Sequence, residues 1–210
     1  MSADTLFELP ETARKYPHRV VLLAGPSGAG KSRLPRILGV PALHLDEFYR
    51  DYDYPGMPRR HGMVDWDSPA CWDGQAALET LVTLCRSGAA DVPVYDIPTS
   101  QRTGWARLEL VDSPIVVAEG IFAGELVAGA RAAGILADAL CLVRPRLHTF
   151  YFRLLRDFAQ ARKPPLQLLR RGFAHLREEP EKVARWVAQG CRPVTLTEAG
   201  SRITALSGLV

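Results

Sequence analysis

Gly25-Pro26-Ser27-Gly28-Ala29-Gly30-Lys31-Ser32 follows the apolar run Val20 to Ala24 and fits G-x-x-x-x-G-K-[ST], the phosphate-binding P-loop. The glycines let the backbone curl, so that the amides of Gly25, Pro26-Ser27, Gly28, Ala29 and Gly30 form a cradle for phosphate oxygens, proline contributing no donor. A helix is expected to open at Lys31 and to add the positive end of its dipole. Lys31 is then placed to reach the β and γ phosphates, and the Ser32 hydroxyl to ligate Mg²⁺. Pro35 is tolerated only near a helix start, so this helix is expected to be short or bent.

Working outward, Arg19 to Ala24 reads as a strand ending where the loop begins, and Ala42 to Leu45 as a second short strand ending at Asp46. Ile115 to Ala118 is a fully apolar run that stops at Glu119-Gly120, the pattern of a buried strand with an acid at its tip. Gln75 to Ser87 has an apolar helical period, Phe122 to Ala133 suggests a helix, and Ala139 to Val143 a further strand. Val92 to Tyr95 and Ala106 to Val111 bracket a polar turn and are expected to pair as a hairpin insertion, 92–111, outside the main sheet. Leu6 to Tyr16 reads as an amphipathic lead-in, and Leu147 to about Arg162 as a long helix. Two more helical stretches run to Gln189, then a strand at Pro193 to Leu196 with Arg202 to Leu206 beside it. Alternating strands and helices after a phosphate loop imply an α/β, P-loop NTPase fold: a mostly parallel sheet covered by helices on both faces.

The 210 residues suit one such domain, 1–210, and the composition is that of an ordinary soluble globular protein. A formal net charge of +3 favours anionic ligands slightly but falls well short of a nucleic-acid binder on bulk charge. Cys71, Cys85, Cys141 and Cys191 are widely spaced and read as buried or idle thiols. No stretch has the length of a signal-peptide core or a membrane span, so the expected location is cytoplasmic; homo-oligomerisation is left open.

A P-loop alone does not separate a kinase from an ATPase or a GTPase, so the remaining chemistry must come from elsewhere. Asp46, at the C-terminal edge of a strand, is the candidate to orient and deprotonate an attacking hydroxyl; its alternative is a helix N-cap. Glu119 occupies the position of a Walker B acid and is paired with Ser32 as the candidate metal site. From Arg144 to Arg171 there are seven arginines and one lysine against one acid, Asp157, which suits a basic lid (144–171) closing over transferring phosphate. Within it Arg153 and Arg156 share a face by their spacing, and Arg162 is a candidate nucleotide contact. His44 is a candidate acceptor contact, whereas His18, His61, His148, His175, Phe173 and Trp186 read as surface or packing residues.

Several segments in order make the chain resemble the uridine kinase branch of the P-loop kinases, which includes phosphoribulokinase and pantothenate kinase relatives. Leu45-Asp46-Glu47-Phe48-Tyr49-Arg50-Asp51 resembles the family's aspartate-x-phenylalanine-tyrosine segment. Trp66-Asp67-Ser68-Pro69 with Trp72-Asp73 resembles its substrate loop, and Val92-Pro93-Val94-Tyr95-Asp96 its hairpin strand. Ala118-Glu119-Gly120-Ile121 and Arg153-Leu154-Leu155-Arg156-Asp157 resemble its Glu-Gly-Ile segment and its lid. The resemblance covers about residues 18 to 163. It implies that Asp46 is the general base, that Tyr49, Asp67 and Tyr95 line the acceptor site, and that Arg153 on the substrate side and catalytic Arg156 clamp phosphate. It departs from the family at Ile97 and Ser100, where pyrimidine-reading side chains are usual, and at Phe152, where a further arginine is common. The implied activity is an ATP- and Mg²⁺-dependent transfer to a hydroxyl of a small-molecule acceptor, a uridine or cytidine nucleoside first. A pantothenate-like or sugar-like acceptor is the alternative, as is a regulator that binds ATP without turnover.

Overall fold

A computed structural model describes residues 16–60, 62–143 and 180–208 of the chain. Its centre is strand β1 (Arg19–Ala24), whose residues from Val20 onward have no solvent exposure. The remaining strands, in chain order, are β2 (Ala42–His44), β3 (Arg59–Arg60), β4 (Met63–Val64), β5 (Ala89–Asp96), β6 (Gln101–Glu109), β7 (Ile115–Glu119), β8 (Leu136–Leu142) and β9 (Arg192–Val194). Five of them form one parallel sheet in the order β2-β7-β1-β8-β9. The strands β3 and β4 make a small ribbon, and β5 with β6 the expected hairpin outside the main sheet.

Because successive side chains alternate across a strand, β1 feeds two cores. Val20, Leu22 and Ala24 pack on one face with Ala77, Leu81 and Leu84 of helix α2 (Gly74–Ser87), Val127 and Ala130 of α3 (Val127–Ala132), and Trp186 of the helical stretch 180–188, here α4. Val21 and Leu23 pack on the other face with Leu34 of α1 (Arg33–Leu38) and with Ala199 and Ile203 of α5 (Leu196–Ser207). Burying each of the Val, Leu and Ile side chains stabilises the fold by about 1.5–3 kcal/mol, which is why the apolar run before the P-loop must lie mid-sheet. The protein has the α/β P-loop NTPase fold, with helices on both faces of a parallel sheet.

Several expectations are corrected. Arg202 to Leu206 is not a strand but part of α5: Thr195 and Glu198 form a reciprocal capping box, and buried Ala199, Ile203 and Ser207 recur at helical spacing. The hairpin strands begin at Ala89 and end at Glu109, because their pairing runs from Ala89↔Glu109 to Asp96↔Gln101. Strand β8 starts at Leu136, ahead of its apolar core, since Val20 pairs with Leu136. Phe122 to Ala133 divides into a 3-10 turn, Ala123–Leu126, and the short α3. The helix after the P-loop starts at Arg33 rather than Lys31 and has six residues, with Pro35 in its first turn. The lead-in before Tyr16, His61 and the lid, 144–171, with Arg153, Arg156 and Arg162, lie outside the described residues, as do Phe152, Phe173, His148 and His175. Among the described residues, no helix is long and apolar enough to cross a membrane.

Candidate functional site

The C-terminal tips of β1, β2 and β7 lie side by side, because Leu23 pairs with Glu119 and His44 pairs with Glu119. Open α/β sheets bind ligands at this edge. The P-loop leaves β1 there with Gly28 at φ 86° and Gly30 at φ 98°, a left-handed backbone that side chains with a Cβ rarely adopt. The Ala29 amide donates to Pro26 O at 3.1 Å and the Leu34 amide to Gly30 O at 3.1 Å. The amides of Gly28 and Gly30 have no backbone acceptor among the described residues. Lys31 is buried, and its Nζ donates to Gly25 O at 2.8 Å and Pro26 O at 3.1 Å. Two carbonyls thus hold the ammonium group at the loop, where a phosphate oxygen is its natural counter-charge.

Asp46 and Glu119 both come to this edge, but in different surroundings. Asp46 lies on a 3-10 turn, Leu45–Phe48, two residues beyond β2 rather than on a strand end. It is exposed, yet surrounding protein strips part of its hydration; that desolvation, opposed by Lys31 and reinforced by the Glu119 charge, holds its carboxyl above the usual aspartate value. Glu119 is buried, and burial alone would raise its pKa. A hydrogen bond from His44, the Lys31 charge and a hydrogen bond from Ser32 together outweigh burial and hold Glu119 below the usual range, as a carboxylate. His44 Nδ1 sits 2.7 Å from Glu119 Oε1, so the ring candidate for acceptor contact is turned toward the acid. A hydroxyl and an ionised carboxylate side by side, next to an anion cradle, are the hard oxygen donors that Mg²⁺ takes. The donor set at Ser32 and Glu119 therefore fits that ion. Gly120 follows Glu119 because there is no room for more: a Cβ there would lie 2.8 Å from Leu45 Cβ.

The expected acceptor residues converge on a wall of aromatic rings. Tyr49 packs edge-on to Trp66 at 5.4 Å and to Phe122 at 5.9 Å, and tilted against Tyr95 at 5.9 Å, while Trp72 stacks on Phe122 at 5.1 Å. The wall is assembled by backbone pairing: Tyr49 bridges Trp72, Arg50 N donates to Cys71 O and Asp73 N to Phe48 O, both at 2.9 Å. Trp72 Nε1 also donates to Leu45 O at 2.7 Å, fixing the turn that carries Asp46. Both tyrosine hydroxyls donate to backbone, Tyr49 to Trp66 O at 3.1 Å and Tyr95 to Arg50 O at 3.2 Å. Burial pushes the Tyr95 phenol up to about 12 and Tyr49 higher still, so both stay neutral and present ring surface. The hairpin is tied to the same turn: the Tyr95 amide donates to Glu47 Oε2 and the Arg102 amide to Asp51 Oδ1 at 2.7 Å.

Asp67 lies at this wall, and its Oδ2 accepts from Lys182 Nζ at 3.0 Å. Lys182, on α4, is a site-region residue that sequence reasoning missed; its partner is 115 positions away and no local pattern announces it. Trp186, fully buried with its Nε1 donating to Ile121 O at 2.9 Å, anchors α4 against the segment after Glu119. His18 meets Ser113 O at 2.8 Å, a packing role. The four cysteines are buried, and desolvation raises Cys85 and Cys141 to about 12, so these thiols are inert at neutral pH.

Over 110 residues, half of its length, this chain is 33% identical to the Arabidopsis thaliana protein named inorganic pyrophosphatase TTM2, a match that spans 15% of that protein. Over 113 residues it is 26% identical to the uridine kinase of Staphylococcus aureus strain JH9, spanning 54% of that enzyme. The chain thus covers less than two thirds of the length of these curated relatives. Among solved structures, a putative fructose transport system kinase from Silicibacter sp. TM1040 shares the fold, with a TM-score of 0.52, 20% identity, and coverage of 91% of this chain and 87% of that one. The model of the phosphoribulokinase / uridine kinase family matches residues 20–160, and the chain belongs to that family of kinases.

Proposed function

We propose that the protein is an ATP- and Mg²⁺-dependent kinase that phosphorylates a hydroxyl of a small acceptor, with uridine and cytidine the first acceptors to try. The observation that carries this reading is the convergence of Lys31, Ser32, Asp46 and Glu119 at one sheet edge beside an aromatic wall. When bound, ATP supplies the phosphoryl group and Mg²⁺ neutralises the charge gathering on its oxygens. The P-loop amides and Lys31 hold the β and γ phosphates, and Ser32 with Glu119 holds the metal directly or through water. Asp46 takes the proton of the acceptor hydroxyl as that oxygen bonds to phosphorus and the bond to the leaving phosphate breaks. Its raised pKa brings it closer to the operating pH, which suits a base. Tyr49 and Tyr95 offer ring faces to an acceptor, and Asp67, steered by Lys182, offers a carboxylate oxygen to its hydroxyls. In this reading Arg153, Arg156 and Arg162 neutralise phosphate from the basic segment.

The pyrophosphatase named among the relatives does not shape this reading, since the match spans 15% of that protein. The uridine kinase supports a nucleoside acceptor more directly. The test is ADP release on adding acceptors one at a time to the full chain with ATP and Mg²⁺. Uridine or cytidine should stimulate release well above the acceptor-free rate. Stimulation only by a pantothenate-like or sugar-like alcohol would keep the kinase and replace the nucleoside. Tight ATP binding with no acceptor-stimulated turnover would overturn the transferase reading in favour of a nucleotide-binding regulator.

A further inference from the structure

A buried carboxylate needs partners that satisfy its lone pairs, and Glu119, with its side chain 7% exposed, has two identified ones: the Ser32 hydroxyl and His44 Nδ1. Because an ionised carboxylate only accepts, the 2.7 Å contact requires that Nδ1 carry the hydrogen. The contact is built into the sheet: β2 and β7 run parallel with His44 directly opposite Glu119, so the two side chains leave the strand tips from neighbouring positions. His44 is also the last extended residue, at φ −82° and ψ 112°, before the turn carrying Asp46. One three-residue segment thus grips the Glu119 carboxylate at one end and presents Asp46 at the other.

We infer that His44 is a positioning residue: its Nδ1–H orients the Glu119 carboxylate toward Ser32 and so prepares that pair for a divalent cation. This rests on the proposed metal role of Ser32 and Glu119 and adds a residue to it. Such outer partners of ligating carboxylates commonly affect metal affinity by about 10–100-fold when removed. The side chain of Asn places its amide nitrogen close to where Nδ1 stands, whereas that of Gln places it one bond farther out. His44→Asn is therefore the conservative replacement.

The test is Mn²⁺ affinity of the ATP-loaded full-length protein, read by electron paramagnetic resonance of free Mn²⁺, together with ATP affinity measured without metal. His44→Ala and His44→Gln should each weaken Mn²⁺ binding about tenfold and leave metal-free ATP binding unchanged, while His44→Asn should recover most of the loss. If His44→Ala fails to fold by circular dichroism, the Asn and Gln variants decide. Equal Mn²⁺ affinity in those two overturns the orienting role, because it would show that the Nδ1 geometry is not used. Unchanged affinity in His44→Ala, with weakened affinity in Glu119→Gln, overturns the His44 inference and leaves the metal site standing. Unchanged affinity in Glu119→Gln as well overturns the metal site itself, and with it the inference.

Discussion

The proposed phosphate side and the proposed acceptor side of the site are built in opposite ways. The P-loop side is local: Lys31 is bound by Gly25 and Pro26, six and five positions earlier, and the cradle is one continuous stretch. The acceptor side is composite, with Tyr49, Trp66, Tyr95 and Phe122 drawn from four segments and Asp67 held by Lys182, 115 positions distant. A local site tolerates distant change, since few groups elsewhere set its shape. A composite site is sensitive to every element that meets in it, and acceptor choice is expected to vary more readily than phosphate binding.

The largest effect expected from dividing the two sides is at Asp46, which belongs to the turn joining them. Asp46→Asn should lower kcat by roughly 10²–10⁴-fold while leaving ATP affinity, measured by calorimetry, within about twofold. Full turnover in that variant would remove Asp46 from the role of base. The same group sets a pH limb. A base must be unprotonated, and desolvation raises the Asp46 pKa, so kcat/KM should fall with acidification at a pH above the ordinary aspartate range. A limb at the ordinary value would mean that the carboxylate is well hydrated.

Gly120→Ala tests the seam between the sides. Its Cβ would stand 2.8 Å from Leu45 Cβ, and overpacking of this kind costs about 1–3 kcal/mol. A lowered melting temperature with reduced turnover is expected; an unchanged one would mean that the tips of β2 and β7 separate easily. Thr195→Ala, which removes the capping box of α5, should cost about 1 kcal/mol of stability, read by thermal melts; an unchanged melting temperature would mean that the cap contributes nothing. The smallest effect is expected at Lys182→Met. The pair with Asp67 is partly exposed, so denaturant melts should shift by less than about 1 kcal/mol, and the variant should change acceptor KM but not ATP KM. An equal change in both would break the contrast between a local and a composite site.

What could be read beforehand follows the same division. Gly25–Ser32 carries its meaning in adjacent residues, and the apolar run ending at Glu119 placed that acid at its strand tip, whereas Asp46 came out on the turn just beyond β2. Arg202 to Leu206 misled because its β-branched residues suit a short strand as well as a helix. The Thr195-x-x-Glu198 cap just ahead of it was the signal for the helix. His44, next to the second strand's end, suggested an acceptor contact, but its partner is Glu119, 75 positions away, a pairing set by which strand lies beside β2.

Hydrogen-bonding glycines, a lysine and apolar runs act over a few bonds, so the amino-acid order alone determined the phosphate loop, the parallel α/β sheet and the kinase family. Ring packing, the Glu119 environment and the Asp67–Lys182 pair depend on chain segments that meet only after the two cores have closed on β1. Tertiary structure alone decided these, because burial and strand neighbours set which polar groups must satisfy one another.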